Sequence, residues 1–192
     1  QRVDLFMLGG DLGSTDFQSL EKLKARRAEI ENILLRVQGV HEFMILDTCN
    51  RFEIVGLVSA NTNLELFLKE LPHSAKGIDA FHRLAEIAAG LRSGVCGETR
   101  IVAQIKESLA SAQEKQQAGS FLQSWVDHAF HISKEIRQAV EPQIPAFEIE
   151  DLVFQALEKF PNIGKIVIVG RGEIGQGLVH RFPQAVQIGG RS

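Results

Sequence analysis

Phe43-Met44-Ile45-Leu46-Asp47-Thr48-Cys49-Asn50-Arg51-Phe52-Glu53-Ile54-Val55-Gly56-Leu57-Val58 contains two β-forming runs, 43–46 and 52–58, divided by a five-residue segment that carries a cysteine. A connection this short has no room for a crossover helix, so the runs are expected to be antiparallel neighbours. If the chain stays extended beyond Thr48, period-2 alternation puts Cys49, Arg51 and Glu53 on one face. A guanidinium beside a thiol suits a nucleophile that attacks carbonyl carbon. The same residues also suit a small core cysteine with Arg51 paired to Glu53.

Outward from this hairpin, residues 3–8 read as a strand that leaves through Gly9-Gly10-Asp11. Ser14-Thr15-Asp16 supplies helix-cap candidates, with Thr15 and Gln18 at capping-box spacing. Leu20, Leu23, Ile30, Ile33, Leu34 and Val37 then recur at helical spacing, which predicts one amphipathic helix over 17–37 with a stop at Gly39. Further helices are expected near 80–88, 98–113, 120–140 and 149–160, each ended by Gly or Pro signals. Pro142 and Pro145 make 142–147 the linker candidate, and the run 165–169 opens a second unit.

That second unit holds Gly170-Arg171-Gly172-Glu173-Ile174-Gly175 between a predicted strand and a predicted helix over 173–182. A dinucleotide site needs this context, because glycines let backbone approach a pyrophosphate that rests on the helix N-terminus. Gly170, Gly172, Glu173, Ile174 and Gly175 are therefore cofactor-binding candidates. The acidic residue that would meet the ribose of NAD is replaced by Gly189-Gly190-Arg191-Ser192. An arginine there suits a 2′-phosphate, so NADPH is the expected cofactor. The expected fold class is α/β: an α+β N-terminal catalytic domain over 1–141, then the start of a Rossmann-type NADP-binding βαβ unit over 148–192. One strand, one helix and one short strand are few for a nucleotide-binding sheet, so the chain is expected to be either a fragment or the bearer of a vestigial cofactor domain.

Composition restricts the remaining classes. The 192 residues are 44% hydrophobic, enough for a real core, and the net charge of -3 argues against binding nucleic acid by bulk electrostatics. Two cysteines make no disulfide framework, and no leader or long apolar run is visible; a reducing, cytoplasmic setting is expected, with no membrane partner. His128, His131, Asp127 and Glu135 have spacings that could hold a metal on one helix face, yet a solvated face is expected and no metal is assigned. Trp125 with Phe121, Ala129, Ile132 and Ile136 reads as a core stripe, Cys96 as a turn residue, and Lys22, Lys24, Arg26 and Arg27 as a solvated face.

Thr48-Cys49-Asn50-Arg51, then Ala89-Gly90-Leu91-Arg92-Ser93-Gly94-Val95-Cys96-Gly97-Glu98, then Gln104-Ile105-Lys106, then the glycine loop, stand in the order found in glutamyl-tRNA reductases. The chain resembles that family over nearly its whole length. The resemblance implies NADPH-dependent reduction of glutamyl-tRNA to glutamate-1-semialdehyde through a cysteine thioester, the first step of five-carbon tetrapyrrole (porphyrin) synthesis. It implies Cys49 as nucleophile, Arg51 as the holder of the substrate carboxylate, Thr48, Ser93, Glu98 and Gln104 as further substrate-binding residues, and Arg191 and Ser192 at the 2′-phosphate. It also implies glutamyl-tRNA and the downstream semialdehyde aminomutase as partners, and a homodimer where a C-terminal helical domain is present. A family histidine that assists the cysteine falls on Arg83, with His82 one residue earlier as the catalytic candidate. Arg92 and Arg100 also depart from the family pattern, and Gly10 to Gly13 replace its Asn-His-Lys-Thr segment. A non-catalytic homologue that binds or regulates within the pathway is the alternative reading.

Overall fold

The computed structural model describes residues 2–64, 71–93, 100–140, 148–160 and 164–189. The expected linker 142–147 and the candidates Cys96, Glu98, Arg191 and Ser192 lie outside the described residues. The chain divides into two compact units, 1–145 and 146–192.

The first unit is built on a four-stranded antiparallel sheet, β2-β3-β1-β4, from β1 (Val3–Asp11), β2 (Val40–Thr48), β3 (Arg51–Ser59) and β4 (His73–Lys76). The two runs around Cys49 pair as the neighbours β2 and β3, in register from Met44↔Val55 to Thr48↔Arg51. β1 does not end at its glycines but runs through Gly9 and Gly10 to Asp11, opposite Glu53, Phe52 and Arg51. A Cβ on Gly9 would lie 2.1 Å from the Phe52 carbonyl oxygen, so this crossing of strands needs a residue with no side chain.

Pleating splits the apolar residues of each strand between two layers of helix. Phe6, Leu8, Phe43, Ile45, Phe52, Ile54 and Val58 meet Leu20 and Leu23 of α1 (Phe17–Ala25) and Ile30 and Leu34 of α2 (Arg27–Arg36). Leu5, Met7, Met44, Leu46, Val55 and Leu57 meet α3 (Ile78–Ala88), α4 (Arg100–Glu114) and α5 (Ser120–Val140) on the other side. With both faces covered, β3 is buried along its whole length, which explains its near-continuous apolar run. Each large apolar side chain taken from water contributes roughly 1.5–3 kcal/mol.

The helix over 17–37, its cap and the α5 stripe are corrected, one strand is added, and the α5 histidines lie on a solvated face as expected. The single helix over 17–37 is two, broken at Arg26, where the buried set steps from Leu23 to Ile30 and Asp16, not Thr15, caps α1 by accepting from the Ser19 amide. On α5 the buried stripe is Leu122, Val126, Ala129 and Ser133, while Phe121 and Trp125 are exposed, one position round the helix from the predicted stripe. Strand β4 has no apolar run to announce it. His128 and His131 stand exposed, His128 Nδ1 against the Ser124 carbonyl and His131 against Glu135.

The second unit comprises α6 (Ile149–Glu158), β5 (Val167–Val169), α7 (Glu173–Arg181) and β6 (Val186–Ile188). β5 and β6 pair in parallel with α7 between them, a βαβ arrangement. No helix among the described residues is long and apolar enough to cross a membrane.

Candidate active site

Thr48 and Arg51 form the last pair of the β2–β3 ladder, so Cys49 and Asn50 are the two loop residues of a tight hairpin. Cys49 is exposed at that tip, which corrects its expected place on a strand face; only Arg51 and Glu53 continue the alternation. The turn is held from several sides. The Thr48 hydroxyl accepts from the Asn50 amide at 3.3 Å, and the Leu12 amide donates to the Asn50 carbonyl at 3.1 Å. From α1, Lys24 Nζ donates to the Cys49 carbonyl at 3.2 Å, and from α2, Arg27 donates to the Asp47 carboxylate at 3.1 Å.

Behind the turn, on the α3 side of the sheet, lies a buried cluster of charge. Arg83 Nη2 on α3 donates to Glu53 at 2.5 Å and to Asp11 at 3.2 Å. Arg51 is 1% exposed and donates to the Arg92 backbone carbonyl. Two guanidiniums thus stand against two carboxylates, a balance that makes burial tolerable. It is an incomplete balance at atomic level, since Arg51 Nη1, Arg83 Nε, Glu53 Oε2 and His73 Nε2 are buried without a hydrogen-bond partner among the described residues.

Each protonation equilibrium in the cluster follows from its surroundings. Burial pushes Glu53 above the usual carboxylate range, more than the neighbouring Arg83 pulls it down. Burial also pushes on Asp11, but Arg83, the Ser14 hydroxyl, Arg51 and the Gly13 amide together outweigh it and hold Asp11 low. His73 on β4 is pushed down by burial and then by the positive charges of Arg83 and Arg92.

An open cleft of about 490 Å³ adjoins both features, lined by Asp11, Leu12, Gly13, Ser14, Asn50, Leu91, Arg92 and Ser93. Its floor loop is shaped by Asp11, whose carboxylate accepts from the Gly13 amide at 3.1 Å while its own amide donates to the Ser14 hydroxyl at 2.9 Å. Of the sequence candidates, Ser93 lines this cleft, Thr48 and Cys49 belong to the turn beside Asn50, and Arg51 lies buried with Glu53. Gln104 sits half-buried on α4 and is not in the lining. His82 is not brought to the cleft: it is exposed on α3, while Arg83, turned by about 100° on the helix, takes the buried position. Sequence reasoning missed Asp11, Lys24 and His73 as neighbours of the site. The turn signal of Gly9-Gly10-Asp11 was available for the first; the others depend on tertiary approach.

In the second unit, Gly170 has φ +112° and its carbonyl accepts from Gln187 on β6 at 2.9 Å. A Cβ on Gly175 would stand 2.7 Å from that same carbonyl, whereas Gly172 has open space about it. The open space about Gly172, the N-cap of α7, lies where a helix N-terminus can take up phosphate. Ile174 follows at the first turn of α7.

Residues 8–140 match the family described as Glutamyl-tRNAGlu reductase, N-terminal domain. The chain is 32% identical to the glutamyl-tRNA reductase of Nitratiruptor sp., over 85% of this chain and 43% of that protein. It is 28% identical to that of Aquifex aeolicus, over 98% of this chain and 52% of that protein. The solved glutamyl-tRNA reductase from Methanopyrus kandleri shares the fold with a TM-score of 0.63 at 23% identity, covering 95% of this chain and 47% of that one. The chain therefore spans about half the length of the relatives it matches.

Proposed function

The chain belongs to the glutamyl-tRNA reductase N-terminal-domain family, and from that premise we propose that it carries the thioester-forming half of glutamyl-tRNA reduction in tetrapyrrole synthesis, with Cys49 as the nucleophile. The observation that carries the reading is the exposed Cys49 at a braced hairpin tip, next to a cleft with a buried and incompletely paired arginine behind it.

In this reading the Cys49 Sγ attacks the carbonyl carbon of the glutamyl ester. The new C–S bond replaces the C–O bond to the terminal ribose, and the tRNA leaves as its hydroxyl after taking up a proton. Arg51, with one guanidinium nitrogen unspent, holds the substrate carboxylate from below. Ser93 and Thr48 offer hydroxyls at the cleft and the turn, and Gln104 and Glu98 complete the proposed substrate-binding set. His82, exposed on α3 where Arg83 takes the buried position, has no role in this reading. NADPH would be held by Gly170, Gly172, Glu173, Ile174 and Gly175, with Arg191 and Ser192 toward its 2′-phosphate, and supplies when bound the hydride that turns the thioester into the aldehyde. Residues 1–141 are the catalytic domain in this proposal and 148–192 the start of the Rossmann-type cofactor domain. The aminomutase that consumes the semialdehyde is a candidate partner.

The test is a single-turnover reaction of the protein with labelled glutamyl-tRNA in the absence of cofactor. Label retained on the parent protein as a base-labile adduct, and lost in Cys49→Ser, is expected. A folded parent that leaves the substrate intact would instead support the second reading, a non-catalytic homologue, which the arginine at the buried α3 position also favours.

A further inference from the structure

The basic residues of α1 and α2 read from sequence as a solvated face, yet two of them leave that face to hold the Cys49 turn. The Lys24 side chain is only 16% exposed; its ammonium contacts Glu21 at 2.9 Å and the Cys49 carbonyl at 3.2 Å. One turn further on, Arg27 reaches Asp47, two residues before the cysteine, at 3.1 Å. The other two cations of the group are set differently: Arg26 forks onto Glu29, and Lys22 lines a separate groove with Thr15, Ser19 and Pro72. The break at Arg26 divides the two helices between Lys24 and Arg27, so the turn is gripped from both sides of a helix corner.

We infer that Lys24 is a positioning residue for Cys49, seconded by Arg27: it fixes the carbonyl of the hairpin tip, and its ammonium on that carbonyl is a charge that an anionic reactant meets on approach. This inference rests on the reading of Cys49 as nucleophile. A two-residue loop has few internal bonds, and here the Asn50 amide reaches the Thr48 hydroxyl at 3.3 Å. External bonds therefore help set the position of the backbone that carries the thiol, and a misplacement of about 1 Å in a reacting group can cost about a hundredfold in rate. The substrate class implied is an ester carried on a polyanion, for which a fixed ammonium at the attacking residue aids approach.

Two readouts test the inference on the full chain. The first is the ratio of Cys49 alkylation rates with iodoacetate and iodoacetamide, reagents of similar reach that differ in charge. Lys24→Ala is expected to lower this ratio at least threefold, with Lys24→Arg restoring it and Lys22→Ala leaving it unchanged. The second is single-turnover thioester formation at saturating glutamyl-tRNA, expected to fall about tenfold in Lys24→Ala and less in Arg27→Ala, with thermal midpoints near the parent's. An unchanged alkylation ratio in Lys24→Ala, or the same drop in Lys22→Ala, would overturn the inference. Loss of thioester formation in the parent, with the alkylation contrast intact, would sink the nucleophile reading and leave the Lys24 assignment standing.

Discussion

The hairpin that carries Cys49 has two ends of opposite character between Cys49 and Glu53. At the tip, Cys49 is exposed and held through bonds to the Cys49 and Asn50 backbone carbonyls. At the base, Arg51 and Glu53 are 1% and 0% exposed and locked against Arg83, Asp11 and the Arg92 carbonyl. The contrast teaches that the reactive group and the apparatus beneath it answer to different constraints. A tip residue can change chemistry with little effect on folding, whereas the charges below cannot change singly without exposing a buried partner. Arg83→Leu sharpens this most: it leaves Glu53 buried without its hydrogen-bonded cation and is expected to cost about 3–5 kcal/mol in urea unfolding. A loss below about 1 kcal/mol would break the comparison, since a surface substitution costs no more.

Gly9→Ala probes the same base from the backbone side. The added methyl would press on the Phe52 carbonyl beside Glu53, and the φ of +150° disfavours a side chain in any case. About 2 kcal/mol or more of destabilisation is expected from the combined clash and strain, measured by denaturant midpoint.

How much of this arrangement could be read in advance follows from how local each determinant is. The β2–β3 pairing was legible because a five-residue connection leaves almost no alternative. The α5 boundaries were legible from Ser120 and the prolines after Val140, but its buried stripe was not, because Phe121 and Trp125 look like core residues and are exposed. Strand β4 escaped because His73-Ser74-Ala75-Lys76 has no apolar alternation and exists by pairing to β1. At the site, Thr48 to Arg51 was legible as a motif and misplaced by face, since a turn, rather than an extended strand, interrupts the alternation at Cys49. The partnership of Arg83 with Asp11 joins residues 72 positions apart, and the grip of Lys24 on Cys49 joins residues 25 apart; a single sequence has no local signal for either.

The next probe uses pH. His73 favours its neutral form in the fold, so below its ordinary value of 6.5 the unfolded chain takes up a proton that the folded chain resists, and stability falls as pH falls. Asp11, held low, loses stability in the same direction but only as pH drops through and below 3.8. Glu53, pushed up, has the opposite sign: its contribution is full below 4.5 and is lost as pH rises through its folded value. Between pH 7 and 5.5, therefore, His73 lowers stability as pH falls and Asp11 is silent, while Glu53 acts with the opposite sign above 4.5. His73→Gln should remove the falling component, so its denaturant midpoint at pH 5.5 relative to pH 7 should be higher than the parent's. Equal ratios would mean that β4 does not present the ring to Arg83 and Arg92.

The smallest expected effect on folding belongs to the residue with the largest expected effect on chemistry. Cys49→Ser exchanges one atom at an exposed tip whose bonds to Lys24 and to the Asn50 neighbourhood run through backbone, so the brace survives the exchange. Stability should stay within about 0.5 kcal/mol of the parent by urea unfolding, while thioester formation is lost. A Cys49→Ser protein destabilised by about 2 kcal/mol would place the thiol among the packed groups of the base and erase the distinction between the two ends of the hairpin. Retained stability with lost acylation would instead locate the chemistry at the tip, where the fold leaves a residue free to react because it asks little else of it.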